Sequence, residues 1–294
     1  MRHDNIFRFV LPFGPIKWGL TCKQTKQSSR SITNLYFALA TPKRISSMAK
    51  ITTILFDCDN TLVLSEHLAF EACADLVNEI LASRNIRNRF TGPQLQEAFV
   101  GQSFQNMMKL LKAQYKYEYK ISDAELDDFA SMEDDKVIAK LKEKLKPCAG
   151  VKLELEQLVT AGSYHLSVVS GSALRRIQAS LEKVGFDKYF GHGVIFSATN
   201  SLPKPTSKPD PAIYLHALKV LKKSPGECVA IEDSRSGAVA ASRAGIKTIG
   251  YTGCYEAEEQ VKMKTVLAHS GCIIIMDHWK ELQSCLSKIQ SGEV

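Results

Sequence analysis

Long hydrophobic runs are missing from this chain of 294 residues. No segment approaches the roughly 20 apolar residues of a membrane-spanning helix, so no membrane association is expected. The eight cysteines (Cys22, Cys58, Cys73, Cys148, Cys228, Cys254, Cys272, Cys285) form neither a C-x-x-C pair nor a tight framework. They read as buried thiols of a reducing compartment. Acidic residues are almost absent from the first 50 positions, where Asp4 stands alone against nine Lys/Arg. That surplus of eight exceeds the formal net charge of +7, so the rest of the chain carries −1. A folded part this close to neutral lacks the basic patch of a nucleic-acid binder, and no nucleic-acid partner is expected.

The basic, Ser/Thr-rich leader, residues 1–48, resembles a mitochondrial presequence in composition. A secretory signal is disfavoured because "FRFVLPFGPIKWGL" is broken by Pro12, Pro15 and Lys17. Met48 opens "MAKITTILFDCDNTLV", which also reads as a complete start, so two compartments stay open, cytoplasm and mitochondrion. In either case, deleting residues 1–47 is expected to leave turnover and Tm unchanged, since the leader has neither the periodicity nor the charge balance of a packed element. A large drop in Tm of the truncated protein would reveal a structural arm instead.

What is present is an alternation. An apolar, β-branched run, "KITTILFDCDN", ends in a turn and reads as a strand. From Glu66 the spacing of Ala69, Ala72, Cys73, Leu76, Val77, Ile80 and Leu81 is helical. Further helix starts follow Thr91, Ser103 and Ser122, with no strand evident before Lys146. After "PCAGV" (147–151) the alternation resumes, with helices over 151–161, 173–184, 211–222 and 236–244. Strands are expected over 165–170, near 193–196, and over 228–232, 246–251 and 272–276. Strands separated by helices of ten or more residues predict a parallel α/β sheet, Rossmann-like and flanked by helices, with an all-helical cap inserted after the first strand. The expected division is an extension at 1–48, a core of 49–65 and 147–294, and a cap of 66–146. Ligands of such sheets bind at the C-terminal strand ends. Asp57, Asp59, Ser170, Glu232 and Asp233 all fall there.

Four stretches carry a resemblance: "DCDNT", "SGS", "SKPDP" and "IEDSRSG", in that order, with the helical insert between the first and second. Together they resemble the motifs of the haloacid dehalogenase superfamily over roughly residues 50–280. The resemblance implies phosphoryl chemistry on a small phosphorylated metabolite, with Mg²⁺ as cofactor. Asp57 is then the nucleophile, whose attack gives an aspartyl-phosphate and splits one hard displacement into two easier ones. Asp59, two residues on, suits a general acid that later activates water. Mg²⁺ takes oxygen ligands, which points to Asp57, the Asp59 carbonyl, Asp233 and Glu232, the last with an alternative place behind the ligands. Ser170, Gly171, Ser172 and Thr61 are expected around the phosphate, and Ser172 also to cap the following helix. Lys208 is expected to supply the fixed positive charge; Lys204, in the same "PKPTSKPDP", is its rival.

The expected activity is a sugar or polyol phosphate phosphatase. Its alternative is a phosphomutase similar to β-phosphoglucomutase, which needs cations for a second phosphate. Phe104 and Ala173 stand where such cations would be, and Arg175 or Arg176 is the substitute the sequence offers. A dehalogenase is disfavoured because it does not call for the second aspartate or the metal acids. The aromatic stretch "YKYEY" (115–119) reads as a partly solvated face, with substrate contact as the other reading. Monomer and oligomer both stay open.

Overall fold

Ile54, Leu55 and Phe56 cannot satisfy their backbone groups and hide their side chains on one face alone, so the strand they form lies in the middle of a sheet. The computed structural model describes residues 49–294 except Tyr119 and His192; the leader expectations, and the last residue of "YKYEY", lie outside the described residues. Strand β1 (Thr53–Phe56) pairs in parallel with β2 (His165–Ser170) on one side and β4 (Cys228–Glu232) on the other. With β3 (Ile195–Ser197), β5 (Lys247–Tyr251) and β6 (Cys272–Met276) the sheet has six parallel strands in the order β3-β2-β1-β4-β5-β6. Strand order reverses between β1 and β4, the switch point where such sheets leave a crevice at their C-terminal ends.

The period-two geometry of the strands splits the core into two layers. Ile54, Phe56, Val168 and Ile231 face a layer with α5 (Val151–Ala161), α6 (Leu174–Val184), α10 (Leu282–Ser291) and Trp279. Leu55, Val169 and Ala230 face α7 (Ala212–Leu221) and α8 (Arg235–Arg243) through Ile213, Tyr214, Ala217 and Ala240. Helix α9 (Ala257–His269) was not expected, nor was α10. Helix α10 is part of the core, burying Leu282, Cys285, Leu286 and Ile289, and Ile51 N donates to its Gln290 Oε1 at 2.8 Å. The described cysteines are free thiols, all buried but Cys254. No helix among the described residues is long and apolar enough to cross a membrane.

Between β1 and α5 stand four helices, α1 (Glu66–Ser83), α2 (Gly92–Phe99), α3 (Phe104–Gln114) and α4 (Asp123–Lys144). Their starts follow the sequence: Thr91, Ser103 and Ser122 each accept a hydrogen bond from the backbone three residues on, satisfying amides that have no partner inside the helix. Leu76, Val77, Leu95, Phe104, Met108 and Leu111 give these helices an apolar core of their own, while Leu68, Ala72, Val137 and Leu141 join the core of the sheet. In "YKYEY", Tyr115 is exposed and stacks on Tyr117, their ring centroids 5.6 Å apart.

The chain passes into and out of the four helices through two hydrogen-bonded crossings. Leu64 N donates to Lys146 O at 2.9 Å and Cys148 N to Leu62 O at 3.0 Å, and Val63 bridges both Asp59 and Pro147. A second attachment joins α4 to α6. Arg176 pairs with Glu133 and Asp134, and Arg175 with Asp134 at 3.2 Å and Asp135 at 2.7 Å. Arg176 has a side chain only 21% exposed against 63% for Arg175, and cutting a largely buried pair strands its acids. Arg176→Ala is therefore expected to cost about 2–3 kcal/mol and lower Tm by roughly 5–10 °C. Arg175→Ala should cost under about 1 kcal/mol. Equal Tm shifts for the two variants would contradict this ranking.

Candidate active site

The turn after β1 is built to present two carboxylates. Asp57 N is fixed to Ile231 O at 3.0 Å, continuing the ladder by one residue, and the chain then doubles back so that Asn60 N reaches Val63 O at 2.7 Å. Asn60 takes a positive φ of 55° at the bend, a conformation that Asn tolerates better than most residues. Asp57 and Asp59 consequently leave the strand end on different errands.

Asp57 points into the crevice. Lys208 Nζ donates to its Oδ1 at 2.6 Å, to Glu232 Oε1 at 2.7 Å and to Val169 O at 2.9 Å, so all three ammonium protons are placed and β1, β2 and β4 are tied together at one point. Of the two lysines, it is Lys208 that lies beside Asp57, while Lys204 is exposed. Asp233, next to Glu232, accepts from Thr61 Oγ1 at 3.3 Å, and Tyr255 OH lies 3.1 Å from its other oxygen. One carboxylate oxygen from each of Asp57, Glu232 and Asp233 lies within 4.8 Å of the others, and all three residues are buried. Thr61, expected beside the phosphate, thus steadies an acid of this cluster.

Asp59 is held apart by hydroxyls. Ser65 Oγ donates to its Oδ1 at 2.5 Å; Ser172 Oγ at 2.7 Å and Ser170 Oγ at 3.3 Å reach its Oδ2. Ser170 also accepts from Ser172 N at 3.0 Å, and beside Gly171 there is open space, with nothing within 4 Å of where a Cβ would sit. The expectation that Ser172 caps α6 is not met. The cap position is Ala173, the Ser172 hydroxyl is spent on Asp59, and the first amide of α6, Leu174 N, is capped by Asn200 Oδ1 at 2.9 Å from beyond β3. Ser65, Asn200, Tyr214 and Tyr255 are the residues of this site that sequence reasoning missed. Ser65 alone had a visible signal, as a hydroxyl directly ahead of a helical pattern.

The family model of haloacid dehalogenase-like hydrolases matches residues 51–245. The chain belongs to that family. Among its relatives, the 6-phosphogluconate phosphatase of Escherichia coli is 27% identical over 203 residues, 68% of this chain and 82% of that protein. The phosphorylated carbohydrates phosphatase of Thermotoga maritima is 28% identical over 67% of this chain and 82% of its own. Among solved structures, a haloacid dehalogenase-like protein of Agrobacterium tumefaciens is similar with a TM-score of 0.62 and 25% identity, covering 81% of this chain and 99% of that one.

A divalent cation fits the acidic cluster of this haloacid dehalogenase-like hydrolase. Burial pushes Asp57 up to about 8, with Glu232 and Asp59 adding repulsion that Lys208 only partly offsets. Burial likewise raises Asp233 well above the carboxylate range, helped by Asp57 and Glu232. Burial works against the charge of Lys208, yet Asp57 and Glu232 hold its ammonium above the ordinary lysine value. One ammonium among these acids leaves an excess of negative charge, and an all-oxygen donor set suits a hard cation. Glu232 belongs to the same cluster, and of the two places expected for it, ligand or behind the ligands, its contacts favour the second. Its Oε1 already accepts from Lys208 and Tyr214, and its Oε2 lies against the backbone of Gly237, so its charge acts from behind. Asp57 and Asp233 are the carboxylates left free to hold the metal.

Proposed function

We propose that this hydrolase is a Mg²⁺-dependent phosphatase of a small phosphorylated metabolite, a sugar or polyol phosphate, working through an aspartyl-phosphate on Asp57. The observation that carries the proposal is the division of labour between the two aspartates: Asp57 buried on Lys208, and Asp59 suspended among three hydroxyls. The relatives named as phosphatases of 6-phosphogluconate and of phosphorylated carbohydrates support the substrate class.

Asp57 attacks phosphorus with one carboxylate oxygen, and the bond from phosphorus to the ester oxygen breaks. Asp59 gives its proton to that leaving oxygen, takes one from the incoming water, and so returns to its first state as water splits the acyl-phosphate. Hydroxyls both donate and accept, so Ser65, Ser170 and Ser172 can hold Asp59 in either protonation state by rotating. Lys208 exchanges its contact with Asp57 for a phosphoryl oxygen, placing positive charge where negative charge develops. Bound Mg²⁺ would supply the charge that lets a carboxylate and a phosphate dianion approach each other.

The phosphomutase alternative loses its substitute cations. Arg175 and Arg176 are both engaged with the acids of α4, Phe104 is buried among α1–α4, and Ala173 carries no charge. Hydrolysis is the outcome this arrangement favours. The test is a phosphate-release screen across phosphorylated metabolites with protein starting at Met48, run beside glucose 1-phosphate with a trace of glucose 1,6-bisphosphate. Release of inorganic phosphate that stops in EDTA and returns with Mg²⁺ but not Ca²⁺ is expected. Glucose 6-phosphate formed with little phosphate release would make the enzyme a mutase, and full activity in chelator would remove the metal.

A further inference from the structure

Tyr214 brings its hydroxyl to the acidic centre from α7, onto Glu232, as Tyr255 brings its own onto Asp233. It is fully buried on the inner face of α7, where a bare phenol hydroxyl would be costly without a partner. Its OH donates to Glu232 Oε1, the same oxygen that receives Lys208 Nζ, and the Lys208 ammonium lies 5.3 Å from the centre of its ring. Glu232 therefore has one oxygen shared by two donors and the other pressed against Gly237 with no hydrogen-bond partner among the described residues. Its carboxylate cannot rotate to find another partner.

We infer that Tyr214 is a positioning residue for phosphoryl transfer: by sharing the charge of Glu232 it sets how tightly that acid holds Lys208, and so how freely the ammonium can move from Asp57 to the transferring phosphoryl group. The reasoning is electrostatic. Lys208 stands between two carboxylates at nearly equal distances, 2.6 and 2.7 Å. A donor on Glu232 weakens that carboxylate as an acceptor and tilts the balance towards the reaction side. With the phenol hydroxyl gone, Glu232 has Lys208 as its sole partner and draws the ammonium back. The ring meanwhile adds a fixed negative face near the ammonium that a merely space-filling aliphatic residue would not.

The inference rests on the phosphatase reading above, and its test separates the two. Phosphate release by the wild-type protein, on whichever metabolite the screen selects, tests the reading; the variants test the inference. Tyr214→Phe keeps ring and packing and removes only the hydroxyl. It is expected to lower kcat about 10- to 100-fold, the worth of one hydrogen bond to a charged group, with KM changed less than about threefold, because Lys208 acts on the group in flight. In a Glu232→Gln background the same substitution should cost under about threefold, since the charge being shared is already gone. A kcat within about threefold of wild type, or losses that multiply fully in the double variant, overturns the inference. If circular dichroism shows Tyr214→Phe to be unfolded, 3-fluorotyrosine placed at position 214 alone is the second variant. It barely changes volume but makes the hydroxyl a stronger donor, and a kcat equal to wild type there is equally fatal.

Discussion

Asp57→Asn is expected to reduce turnover below detection while the protein stays folded. An amide cannot form an acyl-phosphate, and it is a poor metal ligand, so both roles are lost together. The packing survives because the amide oxygen can still accept from Lys208, now 2.6 Å away. The stability consequence runs opposite to the catalytic one. In metal-free protein Asp57 is pushed up to about 8, by burial first and then by Glu232 and Asp59. A group raised in the folded state contributes stability that is fully present below its unfolded value and lost as pH climbs through the folded one. In EDTA, the wild-type Tm should therefore decline between about pH 4 and 8 by more than that of the variant. At pH 8 Asp57→Asn should melt at or above the wild type. Residual activity within about tenfold, only 1.4 kcal/mol of barrier, would rule out Asp57 as nucleophile. A chelated variant less stable than wild type at pH 8 would contradict the repulsion argument.

The second large effect is expected from one methyl group. Gly237 lies under Glu232, and a Cβ there would stand 1.8 Å from Oε2, 2.2 Å from Cδ and 2.5 Å from Oε1. A flexible side chain could step aside, but this carboxylate is fully buried and pinned by Lys208 and Tyr214. Either α8 is displaced, taking with it the helix start just after Asp233, or the carboxylate swings and releases Lys208. Gly237→Ala should accordingly cost about 3 kcal/mol or more and lower kcat by at least about 100-fold, read as Tm and as phosphate release. Gly226→Ala is the control, since its added Cβ would meet only Ala49 Cβ, at 3.4 Å; it should lie within about 0.5 kcal/mol of wild type. A Gly237→Ala protein of wild-type Tm and activity would mean that Glu232 is not locked.

The strands and most helices were legible because burial imposes a period on the sequence: "TTILF" and "CVAIE" can only be central strands, and Thr91, Ser103 and Ser122 announce their helices. Helix α9 escaped notice for a physical reason, as it buries only Leu267 and its apolar stripe is faint. Helix α10 does carry the stripe, in Leu282, Cys285, Leu286 and Ile289, but short and close to the chain end. At the site, the acids and Ser170 could be placed from strand-end logic, and Lys208 and Ser172 from the resemblance of "SKPDP" and "SGS" to the family's motifs. What could not be read was the wiring between elements far apart in sequence. Asn200 caps α6 and frees Ser172 for Asp59; Tyr214 and Gly237 confine Glu232 from opposite sides. Such pairings carry no local pattern, since they depend on which helix lands on which strand.

The two crossings between the sheet and α1–α4 are stitched to one another through Leu62, Leu64, Lys146 and Cys148, and Val63 is bridged to Asp59 as well as to Pro147. In mechanical terms this is a flexure, not a pair of loose tethers. A two-stranded ribbon resists shear between its strands and is compliant mainly in bending, which makes it a stiffer joint than two separate strands of chain would be. Because the same ribbon ends at Asp59, whose side chain also rests on Ser65 at the foot of α1, any bend of the ribbon would be felt at that carboxylate.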